Sequence, residues 1–79
     1  MAIIRSFSES RQNVKRHSTQ VDCEYQVVGD GEGKLLHLST FGSDSRASQP
    51  KSSQSIQLDR AHARELLEII EAAFPGISR

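Results

Sequence analysis

Two cationic stretches hold the side chains with the most chemistry to offer. Arg11-Gln-Asn-Val-Lys15-Arg16-His17-Ser18-Thr19 sets cations among amide and hydroxyl groups, and Arg46-Ala-Ser-Gln-Pro-Lys51-Ser-Ser-Gln54 repeats the mixture. Lys and Arg neutralise phosphates, while Ser, Thr, Asn and Gln reach phosphates and base edges alike. Between the stretches, His37 and Phe41 share parity in an alternating segment, so both belong to one side of a strand. An imidazole and a phenyl ring on one side offer a surface on which unpaired bases stack. Lys15, Arg16, His37, Phe41, Arg46 and Lys51 are the candidate nucleic-acid-binding residues on this reading. The plain alternative is a pair of solvated loops and an aromatic ring that packs locally.

Other chemistries are poorly served. Gly29-Asp-Gly-Glu-Gly33 is followed by a strand rather than a helix, so it is not a phosphate cradle, and its spacing matches neither a dinucleotide fingerprint nor a P-loop. It also lacks the regularly placed oxygens of a calcium loop. A hairpin turn is expected there. Cys23, His17, His37 and His62 are scattered, with no Cys-x-x-Cys or His-x-x-x-His pair, so no metal site is expected. Cys23 lies in phase with Val21 and Tyr25 and is expected in the core. The serines fall in loops and strand edges without an oriented base, and the carboxylates lie on polar faces where burial would not separate their pKa values. The chain is expected to be no enzyme and to need no cofactor.

These residues must be positioned by short elements. Ala2 to Phe7 is apolar and β-prone. Val14 to Val28 reads as a strand, with Val21, Cys23, Tyr25 and Val27 alternating against Gln20, Asp22, Glu24 and Gln26 from Gln20 onward. That pattern fits a sheet with one buried and one wet face. Lys34 to Phe41 is the next strand, with Leu36 and Leu38 on one side and Leu35, His37, Ser39 and Phe41 on the other. A polar segment over residues 42–52 is expected to be a mobile loop. Ser53 to Leu58 is the last strand, with Ile56 and Leu58 inward. Asp59 is a good N-cap and also places a carboxylate at the positive end of a helix dipole. The helix is expected from Arg60 to about Phe74, stopped by Pro75-Gly76. Ala63, Leu66, Leu67, Ile70 and Phe74 form its apolar face, which Ile69 and Ala73 widen. The fold class is therefore α+β: a four-stranded antiparallel curved sheet followed by one C-terminal helix.

A chain of 79 residues makes one small domain, 1–79. A domain of this size buries only about 60% of its unfolded surface and usually needs a staple. The single cysteine excludes an internal disulfide, so a homodimer is expected, with Leu66, Leu67, Ile70 and Phe74 at its interface. Ten basic and ten acidic residues give zero net charge. Arg5, Arg11, Lys15 and Arg16 crowd the first segment, while Asp22, Glu24, Asp30 and Glu32 crowd the next. The distribution is compatible with one polyanion-binding face. Met1-Ala-Ile-Ile-Arg5 is not expected to be a secretory leader, and no apolar run approaches the ~18 residues of a membrane span. With one cysteine and no targeting segment, the expected compartment is the cytoplasm.

The order of elements carries a resemblance. Gly33-Lys34-Leu35-Leu36-His37-Leu38-Ser39-Thr40-Phe41 resembles the Gly-Lys strand with a terminal aromatic found in the single-stranded-DNA-binding transcriptional coactivators called positive cofactor four and their bacterial relatives. Lys51-Ser-Ser-Gln-Ser-Ile56-Gln-Leu58-Asp59 is similar to that family's Lys-Gly-Ile-x-Leu strand entering the helix. The likeness covers roughly residues 20–75. It implies a strongly curved sheet with the helix closing a dimer, and single strands gripped along the sheet faces. By position it implies contacts from Lys34, Phe41 and Lys51, with Arg46 between them and Lys15 and Arg16 extending the track. The resulting expectation is a small single-stranded DNA- or RNA-binding accessory factor in transcription or DNA transactions. The alternative is a protein–protein interaction module or complex subunit on the same fold.

Overall fold

A computed structural model describes residues 1–42 and 52–77. The elements are β1 (Ala2–Ile3), β2 (Cys23–Val28), a 3-10 turn (Gly31–Gly33), β3 (Leu35–Phe41), β4 (Ser52–Leu58) and α1 (Arg60–Ala73). They form one curved, open sheet followed by one helix, an α+β plan. The strand order is β1-β4-β3-β2. β2, β3 and β4 make an antiparallel meander, as the alternation predicts. β1 departs from it, because its two residues lie parallel to β4. The connection over residues 4–22 is long enough to leave β1 on one edge of the sheet and reach β2 on the other, so no hairpin fixes the direction of β1.

Two strands are shorter than their sequences suggest. β1 stops at Ile3, although Ile4 N–H still donates to the Gln57 carbonyl at 2.9 Å. β2 begins at Cys23 rather than Val14, because its partner β3 runs out: Cys23 faces Thr40, and a last bond runs from Phe41 N–H to the Asp22 carbonyl at 3.0 Å. Residues before that point have no ladder to join. The β2–β3 connection turns on Gly29 (φ 80°) and Gly31 (φ 64°), a left-handed conformation that glycine adopts without steric cost. At the other end of β3 the ladder shifts register between Thr40 and Phe41, leaving Ser53 as the extra residue of β4. Its hydroxyl lies 3.1 Å from Thr40 Oγ1 and donates to the Thr40 carbonyl at 3.3 Å.

The register sorts the two faces. Tyr25, Leu38, Ile56 and Ala2 lie in one row, and Val27, Leu36 and Leu58 in the next. Gln26, His37, Gln57 and Ile3 form a row on the opposite face, with Glu24, Ser39 and Ser55 beside it. The first face was expected to be buried. Instead Tyr25 is 77% exposed, and Val21, Val27 and Cys23 are exposed too. The cause is the strand order: among the described residues α1 meets the sheet chiefly at β4, two strands away from β2. Leu58, at the junction of β4 and α1, is the fully buried hydrophobic side chain, at 1% exposure.

The chain consequently shows far more surface than its mass warrants. It exposes 7568 Å². A compact monomer of 8.8 kDa exposes about 4,800 Å² and its unfolded chain about 12,800 Å². About 40% of the unfolded surface is therefore buried, where a self-sufficient domain of this size buries about 60%.

Candidate nucleic-acid interface

Three of the sequence-predicted contact residues lie along β3. Lys34, exposed, closes the 3-10 turn immediately before the strand and donates its N–H to the Gly31 carbonyl at 3.5 Å. His37 sits half-buried at the middle, and Phe41 half-buried at the end. The strand rise separates Lys34 from Phe41 by roughly 23 Å. His37 and Phe41 share one side of the strand, whereas Lys34, of the parity of Leu36 and Leu38, belongs to the other, so the structure does not bring the three onto one face.

His37 is held by a partner that sequence reasoning did not single out. Gln57 Nε2 lies 3.0 Å from His37 Nδ1, directly across the β3–β4 ladder. With the amide as donor, Nδ1 accepts and the imidazole proton sits on Nε2, leaving that N–H available. One signal for Gln57 was present in the sequence: it is out of phase with Ile56 and Leu58, both expected inward although only Leu58 is buried and Ile56 is exposed, so it had to share the face of His37. Its opposition to His37 depended on the register, which the loop length leaves open.

Lys15 and Arg16 lie on the exposed segment that crosses from β1 to β2. The start of that segment is anchored on the helix. Phe7 was expected on the first strand, but its ring packs 6.4 Å from the His62 ring, tilted by 48°. Phe7, Ser8 and Glu9 then flank an open groove of about 710 Å³ whose other wall is Leu66, Ile69 and Ala73. Arg46 and Lys51 lie outside the described residues.

The helix start is built as its sequence predicts. Asp59 Oδ1 accepts the His62 N–H at 2.9 Å and also lies 2.7 Å from His62 Nδ1. The amide N–H, followed by the imidazole, holds the Asp59 carboxyl below its ordinary value. The His62 imidazole is held above its ordinary value, first by the Asp59 hydrogen bond and further by the charges of Asp59 and Glu65 and the Arg5 carbonyl. Two links, Arg5 and Phe7, thus tie the beginning of the cationic segment to the first turn of α1. α1 ends at Phe74, whose N–H reaches the Ile70 carbonyl at 2.9 Å, and the chain turns at Gly76 (φ 86°).

The apolar helix face divides in two. Ala63, Leu66 and Ile70 are half-buried, whereas Leu67 (53%), Ile69 and Phe74 (62%) are exposed. Among the described residues, no three His, Cys, Asp or Glu side chains gather as a metal-binding set, and no helix is long and apolar enough to cross a membrane. Comparison with protein-family models, with curated proteins and with solved structures returned no match.

Proposed function

We propose that this chain is a homodimeric, cytoplasmic binding module for single-stranded nucleic acid, DNA or RNA, serving transcription or another DNA transaction as an accessory factor. The observation that carries this reading is the open polar face of the sheet. Gln26, His37, Gln57 and Ser55 lie on it in register around a buried Ser39, Phe41 stands at one end of its β3 row, and the segment bearing Arg11, Lys15 and Arg16 spans from one sheet edge to the other. Such a face supplies hydrogen bonds to bases, and the cations supply the sequence-independent phosphate attraction. The order of four strands and a capped helix, shared with the positive cofactor four family, supports the same reading, although β1 runs parallel to β4.

The homodimer rests on the uncovered apolar surface. Tyr25, Val27, Leu67 and Phe74 are large, exposed side chains, and a chain burying about 40% of its unfolded surface is short of apolar cover. The same surface supports a second reading, in which the module docks a different protein and binds no nucleic acid.

Fluorescence anisotropy separates the two. A labelled single strand on the order of 20 nucleotides, longer than the 4–16 nucleotides one small module covers, is titrated beside its duplex at low and moderate salt. The expected result is tighter binding of the single strand, with a log–log salt slope of about −0.7 per phosphate neutralised. Replacing Lys15 and Arg16 together by Ala should flatten that slope by about 1.4. Flat titrations at high micromolar protein in low salt would overturn the proposal and favour the protein-docking reading.

A further inference from the structure

The charges of α1 run along its length against the usual preference. Arg60 and Arg64 stand in its first half and Glu68 and Glu71 in its second, with no acid in the first turn and no base in the last. A helix dipole favours the opposite order, anions near the N-terminus and cations near the C-terminus. Arg64 and Glu68 have the spacing of an i, i+4 pair, though with the cation leading, which is the weaker orientation. Among the described residues none of the four makes an ion pair or hydrogen bond. Charges that neither suit the dipole nor engage a neighbour are left for a partner.

Most of these side chains share one side of the helix with Leu67. Residues 60, 64, 67, 71 and 74 follow alternating steps of four and three, the spacing of a seam between paired helices. In order they are Arg, Arg, Leu, Glu and Phe, and Leu67 at the middle is exposed. This side is turned away from the rest of the chain: the half-buried positions are His62, Ala63, Leu66 and Ile70, and the groove beside Phe7 lies beyond them, on the side of Ile69. Arg60, Ala63, Arg64, Leu67, Glu68 and Glu71 line an open groove of about 530 Å³. A surface that is cationic at one end, apolar at the middle and anionic at the other end is complementary to its own copy after a half-turn, as a two-fold contact requires. A partner of one sign would match one end and oppose the other, and a parallel second helix would set like charge against like.

We infer that α1 pairs antiparallel with α1 of a second copy about a two-fold axis at Leu67, with Arg60 and Arg64 facing the partner's Glu71 and the partner's Glu68. The inference rests on the homodimer reading above and gives that dimer its contact and its direction. Leu67 packs on the partner's Leu67 at the axis. The 14-residue helix is about 21 Å long, so the pair forms the centre of the interface and the exposed Phe74 extends it at each end. The leucines supply the apolar contact, and the charges fix the orientation.

Charge reversal tests the pairing, with association read by sedimentation equilibrium. Arg60→Glu with Arg64→Glu makes both ends of the groove acidic, and Glu68→Arg with Glu71→Arg makes both ends basic. Each double variant alone should associate at least about ten-fold more weakly than wild type, and an equimolar mixture of the two should recover an affinity within about three-fold of it. Recovery on mixing requires that both variants fold. A second measurement leaves the charges alone. Cys23 is exposed, so in a Cys23→Ser background Leu67→Cys should give a disulfide-linked dimer under mild oxidation, while Ile69→Cys, about 200° round the helix, should not. A wild type that stays monomeric at every concentration would refute the homodimer reading itself. A wild-type dimer that tolerates both reversals, that mixing of the folded variants does not restore, or that fails to link through Leu67→Cys would overturn the antiparallel pair alone.

Discussion

The proposed homodimer makes a quantitative demand on stability. The chain exposes about 2,800 Å² more than a compact monomer of its mass. Obligate dimers bury about 1,000–2,500 Å² per partner, so the excess accommodates such an interface even with an extended cationic segment. Folding coupled to association makes Tm depend on concentration. A 100-fold rise in protein concentration shifts the equilibrium by about 2.7 kcal/mol. Unfolding two chains of 79 residues carries an entropy of about 0.33 kcal/mol/K. The expected rise in Tm is therefore about 8 °C per 100-fold. Leu67 provides the perturbation. Its 53% exposure leaves about half of a leucine's burial energy still to be gained, about 0.8–1.5 kcal/mol in each of two copies. Leu67→Glu should loosen the dimer about 15- to 150-fold. Sedimentation equilibrium should give 17.6 kDa for the wild type (twice 8.8 kDa) and move toward 8.8 kDa for the variant. A folded wild-type species of 8.8 kDa with the same Tm across the concentration range would refute the reasoning.

Three further outcomes follow from local geometry. Leu58→Ala empties the best-buried apolar site and should cost about 2–5 kcal/mol by urea denaturation, with little change in m. Gly29→Ala places a Cβ in ordinary contact with Lys34 Cα (3.7 Å) but forces alanine to φ 80°, so it should cost about 1 kcal/mol or more; Gly33→Ala, with open space and no positive φ, should be near neutral by the same melts. The Asp59–His62 pair predicts two limbs in Tm against pH. Asp59 is held below 3.8, so its contribution is present above that pH and is lost as pH falls through the lower folded value. His62 is held above 6.5, so its contribution is full below that pH and is lost as pH rises through the higher folded value. Stability from the pair should be greatest between about pH 4 and 6.5, and Asp59→Asn should remove the alkaline limb; a retained limb would show that the imidazole does not depend on Asp59.

Local signals were the readable part of this sequence. The Asp59 cap, the glycine turn after Val28, the Pro75-Gly76 stop and the alternation in β2 and β3 depend on neighbours in the chain, and each appears in the fold. The direction and partner of β1 depend on a connection over residues 4–22 that encodes no register, and the structure departs from expectation there. Alternation also placed Tyr25 and Val27 correctly on one face but not their cover: a period of two says which residues are together, and only the strand order says whether a helix lies over them. For the same reason His37 was legible as a candidate, while Gln57, Ser55 and Ile3 around it were not. Phe7 was apolar enough for a strand but found its partner on α1, a contact between residues too distant in sequence for periodicity to report.

The outer margin of β2 has a consequence for handling the protein. β2 ends the sheet, so one row of its backbone N–H and C=O groups faces outward beside Tyr25 and Val27. Bare margins of this kind invite a foreign strand to add on. Here the residues in and next to it include Asp22, Glu24, Asp30 and Glu32, with no Lys or Arg from residue 21 to residue 33. A uniformly negative border repels a second copy of itself and guards the margin against runaway strand addition. The chain as a whole carries no net charge near neutral pH, so there the protection comes from this local border and not from overall repulsion, and replacing Asp22 by Asn and Glu24 by Gln should speed strand addition at neutral pH and low salt.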